Sequence, residues 1–286
     1  MSNPTPRRPF SVSVVTNTAH DGKLCKLYSL DPDTHEVISR TDANLSTGRA
    51  ELRTFETLSA FMEARNRLES SQALMMGEPM YPDAKVVTKA ALKRFSPERR
   101  RNERIIARDS VHVTWSEGPS IVMVDLDKPD DIPARVKARI PNSPDRWRDL
   151  LVQCVPGLDV TPMAWAPSSS SYIYNGDVEI RGLNGQRFYF VIESGLQTEH
   201  VKTTLRRALV EKGLFWHQVS KSGALLERFP FGRAVYQPGR LDFAAGPFCA
   251  PPLEWRPAPW RIWNEDGPPL SLPAAPELSE ANRRRM

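Results

Sequence analysis

Cysteine is scarce in this chain: Cys25, Cys154 and Cys249 are three residues in 286. They lie far apart and are odd in number, which excludes a disulfide framework and the close pairs of a zinc site. A reducing, cytoplasmic compartment is the simplest expectation. Histidine is almost as sparse, and the five present (His20, His35, His112, His200 and His217) fall in no metal-ligand spacing. No apolar run approaches the roughly 18–20 residues of a membrane span. The opening residues Met1 to Arg8 lack the apolar stretch of a secretion signal. No internal repeat is visible.

What is present suits a folded enzyme or binding domain. Hydrophobic residues make up 40% of the sequence, enough for a core, and 286 residues suit one large domain or two small ones. The formal net charge of +5 permits nucleic-acid binding without specifying it.

Periodicity divides the chain. Residues 1–9 form a Pro/Arg leader, 10–110 an N-terminal subdomain, 111–250 a second unit, and 251–286 a Pro/Trp-rich tail or linker. Phe10–Thr16 alternates as a strand, Asp21-Gly22 forms a turn, and Leu24–Leu30 returns as a second strand. Over 51–69, Leu52, Phe55, Leu58, Phe61, Met62 and Leu68 share one helical face, predicting a helix. Ser70–Met76 reads as another strand. Residues 89–108 are strongly basic, with Lys89, Lys93, Arg94, Arg99, Arg100, Arg101, Arg104 and Arg108 against Glu98 and Glu103. That run reads either as a solvated surface or as a contact for a phosphate backbone. Ser143–Val155 is a helix with Ser143 at its N-cap and an apolar stripe of Trp147, Leu150, Leu151 and Cys154. Strands follow around Val178–Ile180 and Arg187–Glu193, then a helix over Thr198–Lys212 capped by Thr198 and ended by Gly213. Short strands are expected over Leu214–Val219 and Ala224–Arg228. The tryptophans of the tail read as packing anchors in preference to base-stacking platforms.

The strongest chemical signal is Val124-Asp125-Leu126-Asp127, at the end of the apolar run Ile121-Val122-Met123-Val124. Residues i and i+2 of a strand share a face, so Asp125 and Asp127 point the same way about 6–7 Å apart. Two hard carboxylates on one face form a platform for Mg²⁺ or Mn²⁺, which takes one or two protein carboxylates and fills its shell with water and phosphate oxygens. The same residues, followed by Lys-Pro, also fit a strand running into a turn.

The order of elements around that motif carries a resemblance. Asp-x-Asp on a strand is followed by the segment Ser168-Ser169-Ser170-Ser171, the turn Arg181-Gly182-Leu183-Asn184-Gly185, and a strand opening with Arg187. Then come Ser220-Lys221-Ser222-Gly223-Ala224-Leu225-Leu226-Glu227-Arg228 and Pro238-Gly239-Arg240-Leu241-Asp242-Phe243. This order resembles the catalytic core of the archaeo-eukaryotic primase superfamily, the primase-polymerases. It is most similar to N-terminal primase domains of replication proteins carried by plasmids and integrated mobile elements. The resemblance runs from about residue 10 to about residue 269.

It implies an α/β (α+β) fold in which a mixed, mostly antiparallel sheet carries the acids, flanked by helices, with an N-terminal α/β subdomain alongside. It implies nucleotidyl transfer from nucleoside triphosphates on a single-stranded DNA template, and a helicase as a domain or partner beyond this segment, with no membrane partner. Asp125, Asp127 and Glu227 would be the catalytic acids holding two Mg²⁺ or Mn²⁺ ions. Ser168, Ser169, Ser170, Ser171, Arg187, Lys221, Ser222 and Arg228 would bind the triphosphate. Each has a plainer reading: a loop of serines, an alternating strand residue at Arg187, a hairpin turn at Lys221-Ser222-Gly223, and a surface ion pair at Glu227-Arg228.

Two departures accompany the resemblance. Arg187 stands where the family places a histidine, and Phe231-Gly232 stands where relatives often carry an aspartate. The alternatives are a non-catalytic nucleic-acid-binding module on a degenerate primase fold and a metal-dependent nuclease.

Overall fold

The computed structural model describes residues 9–42, 44–126 and 132–272. The architecture is mixed α+β, with mostly antiparallel sheets and six α-helices among the described residues. The helices are α1 (Leu58–Asn66), α2 (Lys89–Leu92), α3 (Pro97–Asn102), α4 (Ala134–Lys137), α5 (Pro144–Cys154) and α6 (Thr198–Glu211). No helix among these residues is long and apolar enough to cross a membrane.

Two sheets position the site. The first has six strands in the order Leu241–Asp242, Gln72–Met75, Phe10–Asn17, Thr47–Phe55, Asp83–Val87, Ile105–Ala107. Its last pair is parallel and the others are antiparallel. The second has four antiparallel strands in the order Ser120–Leu126, Gln186–Ile192, Met163–Pro167, Arg261–Trp263. Gln186–Ile192 is buried along its whole length, as expected of a strand flanked on both edges and covered on both faces.

The second sheet separates two apolar layers, and strand alternation decides which residue faces which. Val122, Val124 and Leu126, with Phe188, Phe190 and Ile192, pack against Trp147 and Leu151 of α5 and Val201, Leu205 and Leu209 of α6. Ile121 and Met123, with Tyr189 and Val191, pack instead against Phe10, Val12 and Val14 of the first sheet and Phe61 and Met62 of α1. Asp125 and Arg187 share the parity of this second set. The apolar layer between the sheets therefore ends in a carboxylate and a guanidinium.

Local chemistry explains several boundaries. Ser143 caps α5 by accepting a hydrogen bond from the Arg146 amide, and Pro144 occupies its first turn. Gly213, at φ +66°, closes α6, with Leu214 N donating to the Leu209 carbonyl at 2.8 Å.

The helix expected over 51–69 forms only in its second half. Residues through Phe55 continue the strand Thr47–Phe55, paired along eight positions with Phe10–Asn17. Helix begins only after Thr57, whose side chain accepts from the Ala60 amide. Long-range pairing outweighs the helical period of Leu52 and Phe55. Thr198 opens α6 but does not cap it; its hydroxyl donates back to the Gly195 carbonyl. The segment beyond residue 250 is built into the sheets: Leu253–Trp255 pairs with Ile173–Asn175, and Arg261–Trp263 completes the second sheet.

Phe61 is fully buried between the two sheets, with ring contacts to Phe10, Phe55 and Tyr189. Phe61→Ala is expected to destabilise the protein by about 3–5 kcal/mol, the range for deleting a buried aromatic ring. Exposed Val178→Thr should stay within about 0.5 kcal/mol of wild type. Urea unfolding of both variants checks the pair.

Candidate active site

Asp125 lies one residue from the end of Ser120–Leu126 and is directly opposite Arg187 in the ladder. Arg187 Nε stands 3.5 Å from Asp125 Oδ1, and its Nη1 is 2.9 Å from Asp242 Oδ1. The same Nη1 donates to the Phe243 carbonyl at 3.1 Å. Asp242 comes from the edge strand of the first sheet, so one guanidinium joins acids from both sheets. The Tyr189 hydroxyl donates to Asp242 Oδ2 at 2.7 Å, and Arg65 Nε donates to the Tyr189 oxygen at 3.2 Å. The network thus runs Arg65, Tyr189, Asp242, Arg187, Asp125.

Several contacts fix Asp242. Its strand pairs with Leu74 and Met75. Just upstream, Gly77 N donates to the Pro238 carbonyl at 3.0 Å, and a Cβ on Gly77 would lie only 2.5 Å from Pro238 Cβ. Arg108 Nη1 donates to the Gly239 carbonyl at 2.9 Å. Arg108, expected to touch a template, is thus engaged in holding this segment, and burial followed by the charge of Arg240 lowers its pKa.

Exposure separates the acids. The Asp242 side chain is 1% exposed and that of Asp125 is 21% exposed, so Asp125 is the one within reach of a ligand. Burial, and then the negative charge of Asp242, raises the Tyr189 pKa far above that of a free phenol. Tyr236 is also buried; burial, followed by the charge of Asp125, raises its pKa as well. Its hydroxyl has no hydrogen-bond partner among the described residues.

The other residues expected at the site separate into groups. Asp127 lies outside the described residues. Glu227 is gripped by Arg206 of α6 through two hydrogen bonds of 2.9 Å, and it faces His217 across the hairpin Trp216–Val219/Leu225–Arg228. The acid joined to Asp125 through Arg187 is Asp242, not Glu227. Arg228 donates to Gln218 across the same hairpin, and Lys221 and Ser222 are exposed at its turn, where the Ser220 and Ser222 hydroxyls pair at 3.0 Å.

Ser168–Ser171 are all buried. Ser168 and Ser170 share a hydrogen bond of 2.6 Å, Ser171 donates to the Gly185 carbonyl, and Ser169 donates to the Phe243 carbonyl. A Cβ at Gly185 would sit 2.5 Å from Ser168 Oγ, so that turn requires glycine. The serines pin the 182–185 turn and the residue after Asp242, work that occupies the hydroxyls expected to bind a triphosphate. Of the basic run, Arg99 pairs with Glu103 and Arg100 donates to the Phe95 carbonyl.

Sequence reasoning missed Asp242, Tyr189, Arg65 and Tyr236. The segment 238–243 had drawn attention as part of the resemblance, but nothing local marked its aspartate as the partner of Arg187.

Gly232 approaches Asp125 as well. Its amide donates to the Asp125 carbonyl at 2.8 Å, and a Cβ built on it would lie 3.8 Å from Asp125 Cβ and 3.9 Å from Oδ2. Among the described residues no group of three or more His, Cys, Asp or Glu side chains could hold a metal ion. Asp242 fits a metal poorly, since Arg187 and Tyr189 take its two oxygens. Asp125 fits one that draws most of its ligands from a bound substrate and water.

Comparison with known proteins gives no family: no family model, curated protein or solved structure matches this chain.

Asp242→Ala strips Arg187 of a buried counter-ion and Tyr189 of its acceptor. It should cost about 3–5 kcal/mol in denaturant unfolding, the range for breaking a buried pair from one side. The raised phenols set a second expectation. A group whose folded pKa lies above its unfolded value adds stability below the unfolded value, near 10 for tyrosine, and loses it as pH rises through the folded value. Absorbance at 295 nm should show at least two of the six tyrosines still protonated at about pH 11 in the native protein. Their ionisation should accompany alkaline unfolding.

Proposed function

We propose that this chain is a metal-dependent nucleotidyltransferase of primase-polymerase type. It joins nucleoside triphosphates along a single-stranded DNA template, in the replication of a mobile element. One observation carries the reading. A partly exposed aspartate at the end of a doubly covered strand stands beside a fixed guanidinium on the neighbouring strand, with a third acid behind. This agrees with the order of elements that the sequence shares with that superfamily.

The reaction is attack of a 3′-hydroxyl on an α-phosphate, and catalysis rests on positioning and charge stabilisation. Asp125 and Asp127 would hold the divalent ion, which supplies charge neutralisation at the phosphates and acidifies the attacking hydroxyl. Arg187 contributes a positive charge whose position is set by Asp242 and the Phe243 carbonyl. As a guanidinium it would stabilise phosphate charge and take no part in proton transfer. Tyr189 and Arg65 hold Asp242 in place and thereby the guanidinium.

A second reading, a nucleic-acid-binding module without catalysis, is favoured by a specific observation. Gly232 stands against Asp125 at the position where the resemblance leads one to look for an aspartate. Arg187 also already compensates Asp125 and Asp242.

Three proteins separate the readings: wild type, Asp125→Asn and Gly232→Asp, each given single-stranded DNA, nucleoside triphosphates and Mn²⁺ or Mg²⁺. The catalytic reading expects oligonucleotides from wild type and only background from Asp125→Asn at unchanged DNA affinity. Products from Gly232→Asp alone would establish the degenerate module. No product from any of the three would remove the enzymatic reading.

A further inference from the structure

A cavity of about 600 Å³ opens between α4, the turn after α6 and the strand Trp216–Val219, lined by Arg135, Arg139, Gly213, Phe215 and His217. We propose that it binds the phosphates of a single DNA strand, with one base lying against Phe215. The inference deepens the reading above by giving its template a seat.

The chain builds this cavity from simple parts. Val136 is fully buried and anchors α4 in the core. Arg135 and Arg139 flank that anchor four residues apart, both exposed. At this separation they project from one side of the helical turn, which extends past α4 because Arg139 N donates to the Val136 carbonyl at 2.9 Å. Arg139 Nη1 comes within 2.9 Å of where a Cβ on residue 213 would be, so glycine there leaves the guanidinium room. It thereby lies at the C-terminal end of the 14-residue helix α6, where the helix dipole favours a cation.

Phe215 is half-buried, its inner edge packed on the core behind α6, and His217 stands edge-on to its ring at 5.8 Å and 85°. Two guanidiniums, an imidazole and an aromatic wall are the groups that hold a charged backbone and a stacked base.

The surrounding charges support an anion. No carboxylate among the described residues lines this cavity. Glu227, the acid across the strand pair from His217, is held by Arg206. The contrast is a second cavity, of about 560 Å³, lined by Arg49, Lys85 and Arg99 among others. There Arg49 pairs with Asp83, and Lys85 and Arg99 both pair with Glu103. These three cations have their anions. The first cavity also sits close in sequence to the candidate active site. α4 begins eight residues after Leu126 closes the acid-bearing strand, and the hairpin that includes His217 leads into Gly232, bonded to Asp125.

The phosphates of a free nucleoside triphosphate share this chemistry, and the experiment distinguishes the two sources. Fluorescence anisotropy of labelled oligothymidylate is measured against salt for wild type, Arg135→Ala/Arg139→Ala, Phe215→Leu and the charge-matched control Arg53→Ala/Arg67→Ala. The double variant should bind at least about tenfold more weakly at low salt. The slope of log K against log salt should shrink by about 1.4, two phosphate contacts at about 0.7 each for a single strand. Phe215→Leu should weaken binding with the slope unchanged, and the control should match wild type.

Wild-type affinity and slope in Arg135→Ala/Arg139→Ala would overturn the proposal. So would absent DNA binding by wild type. Unchanged DNA binding with lost binding of dTTP in the absence of metal would assign the cavity to a free nucleotide. The proposal and the enzymatic reading fail separately. Weakened DNA binding in the double variant, with no primer synthesis by wild type, keeps this site and removes the enzyme. Primer synthesis by wild type, with DNA binding intact in the double variant, does the reverse.

Discussion

The placement of Arg187 between Asp125 and Asp242 is the constraint on which the rest of the structure depends. Its side chain is 7% exposed, and removing a guanidinium from water to that degree costs several kcal/mol unless charge and hydrogen bonds are restored. Asp242 restores the charge, the Phe243 carbonyl beside it accepts a hydrogen bond, and Asp242 belongs to a different sheet. The two sheets therefore dock with this pair formed or bury an uncompensated charge. A one-residue slip of Gln186–Ile192 would turn Arg187 into the layer packed on α5 and α6 and send Phe188 to the acids. The ion pair thus selects the register of the central strand as well as the approach of the first sheet.

The apolar layer beside this pair works in the same direction. Tyr189 belongs to both, with its ring against Phe61 and its hydroxyl on Asp242. Phenol, carboxylate and guanidinium meet at the rim of this layer through one hydrogen bond and one ion pair. Hydrogen-bonded networks of this kind gain strength in a low dielectric and become costly when one member is removed. The serine segment extends the rim. Ser169 donates to the same Phe243 carbonyl that accepts from Arg187, and Ser168 and Ser171 fix the glycine turn that feeds Arg187 into its strand. Ser168, Ser169 and Ser171 accordingly help build the surroundings of one cation.

The sequence made legible what depends on local pattern. The apolar run before Asp125 is the strand Ser120–Leu126, the run from Arg187 is the central strand, and the Ser143 cap with its apolar stripe is α5. The acid that Arg187 joins to Asp125 was not legible, because that pairing is made across 55 residues of sequence. Glu227, on a short apolar run and followed by arginine, has the stronger local signal. Asp242 sits in a two-residue strand with no periodicity to read, and pairing with Leu74 and Met75 is what places it. The 51–69 segment shows the same physics. A helical spacing of apolar residues was outvoted by an eight-residue partner strand whose paired positions lie 31 to 45 residues away. The buried serines were open to two readings for a further reason. Hydroxyls suit a phosphate or a tight turn equally well, and only the neighbour they meet decides.

Charge at the rim bears on how any divalent ion would be held. Among the described residues the network contains two carboxylates, Asp125 and Asp242, and two guanidiniums, Arg187 and Arg65, so it is balanced before a ligand arrives. A site of that kind offers a small hard cation little net attraction. Mg²⁺ keeps most of its water and favours phosphate oxygens as partners. Under the proposed reading, metal and nucleoside triphosphate bind as one ligand, the polyphosphate supplying the negative charge that Arg187 cancels in the protein. Linkage then requires each to raise the affinity of the other by the same factor. On that reading, Arg187 would change the order of assembly while leaving the chemistry at the α-phosphate to the end of the Asp125 strand.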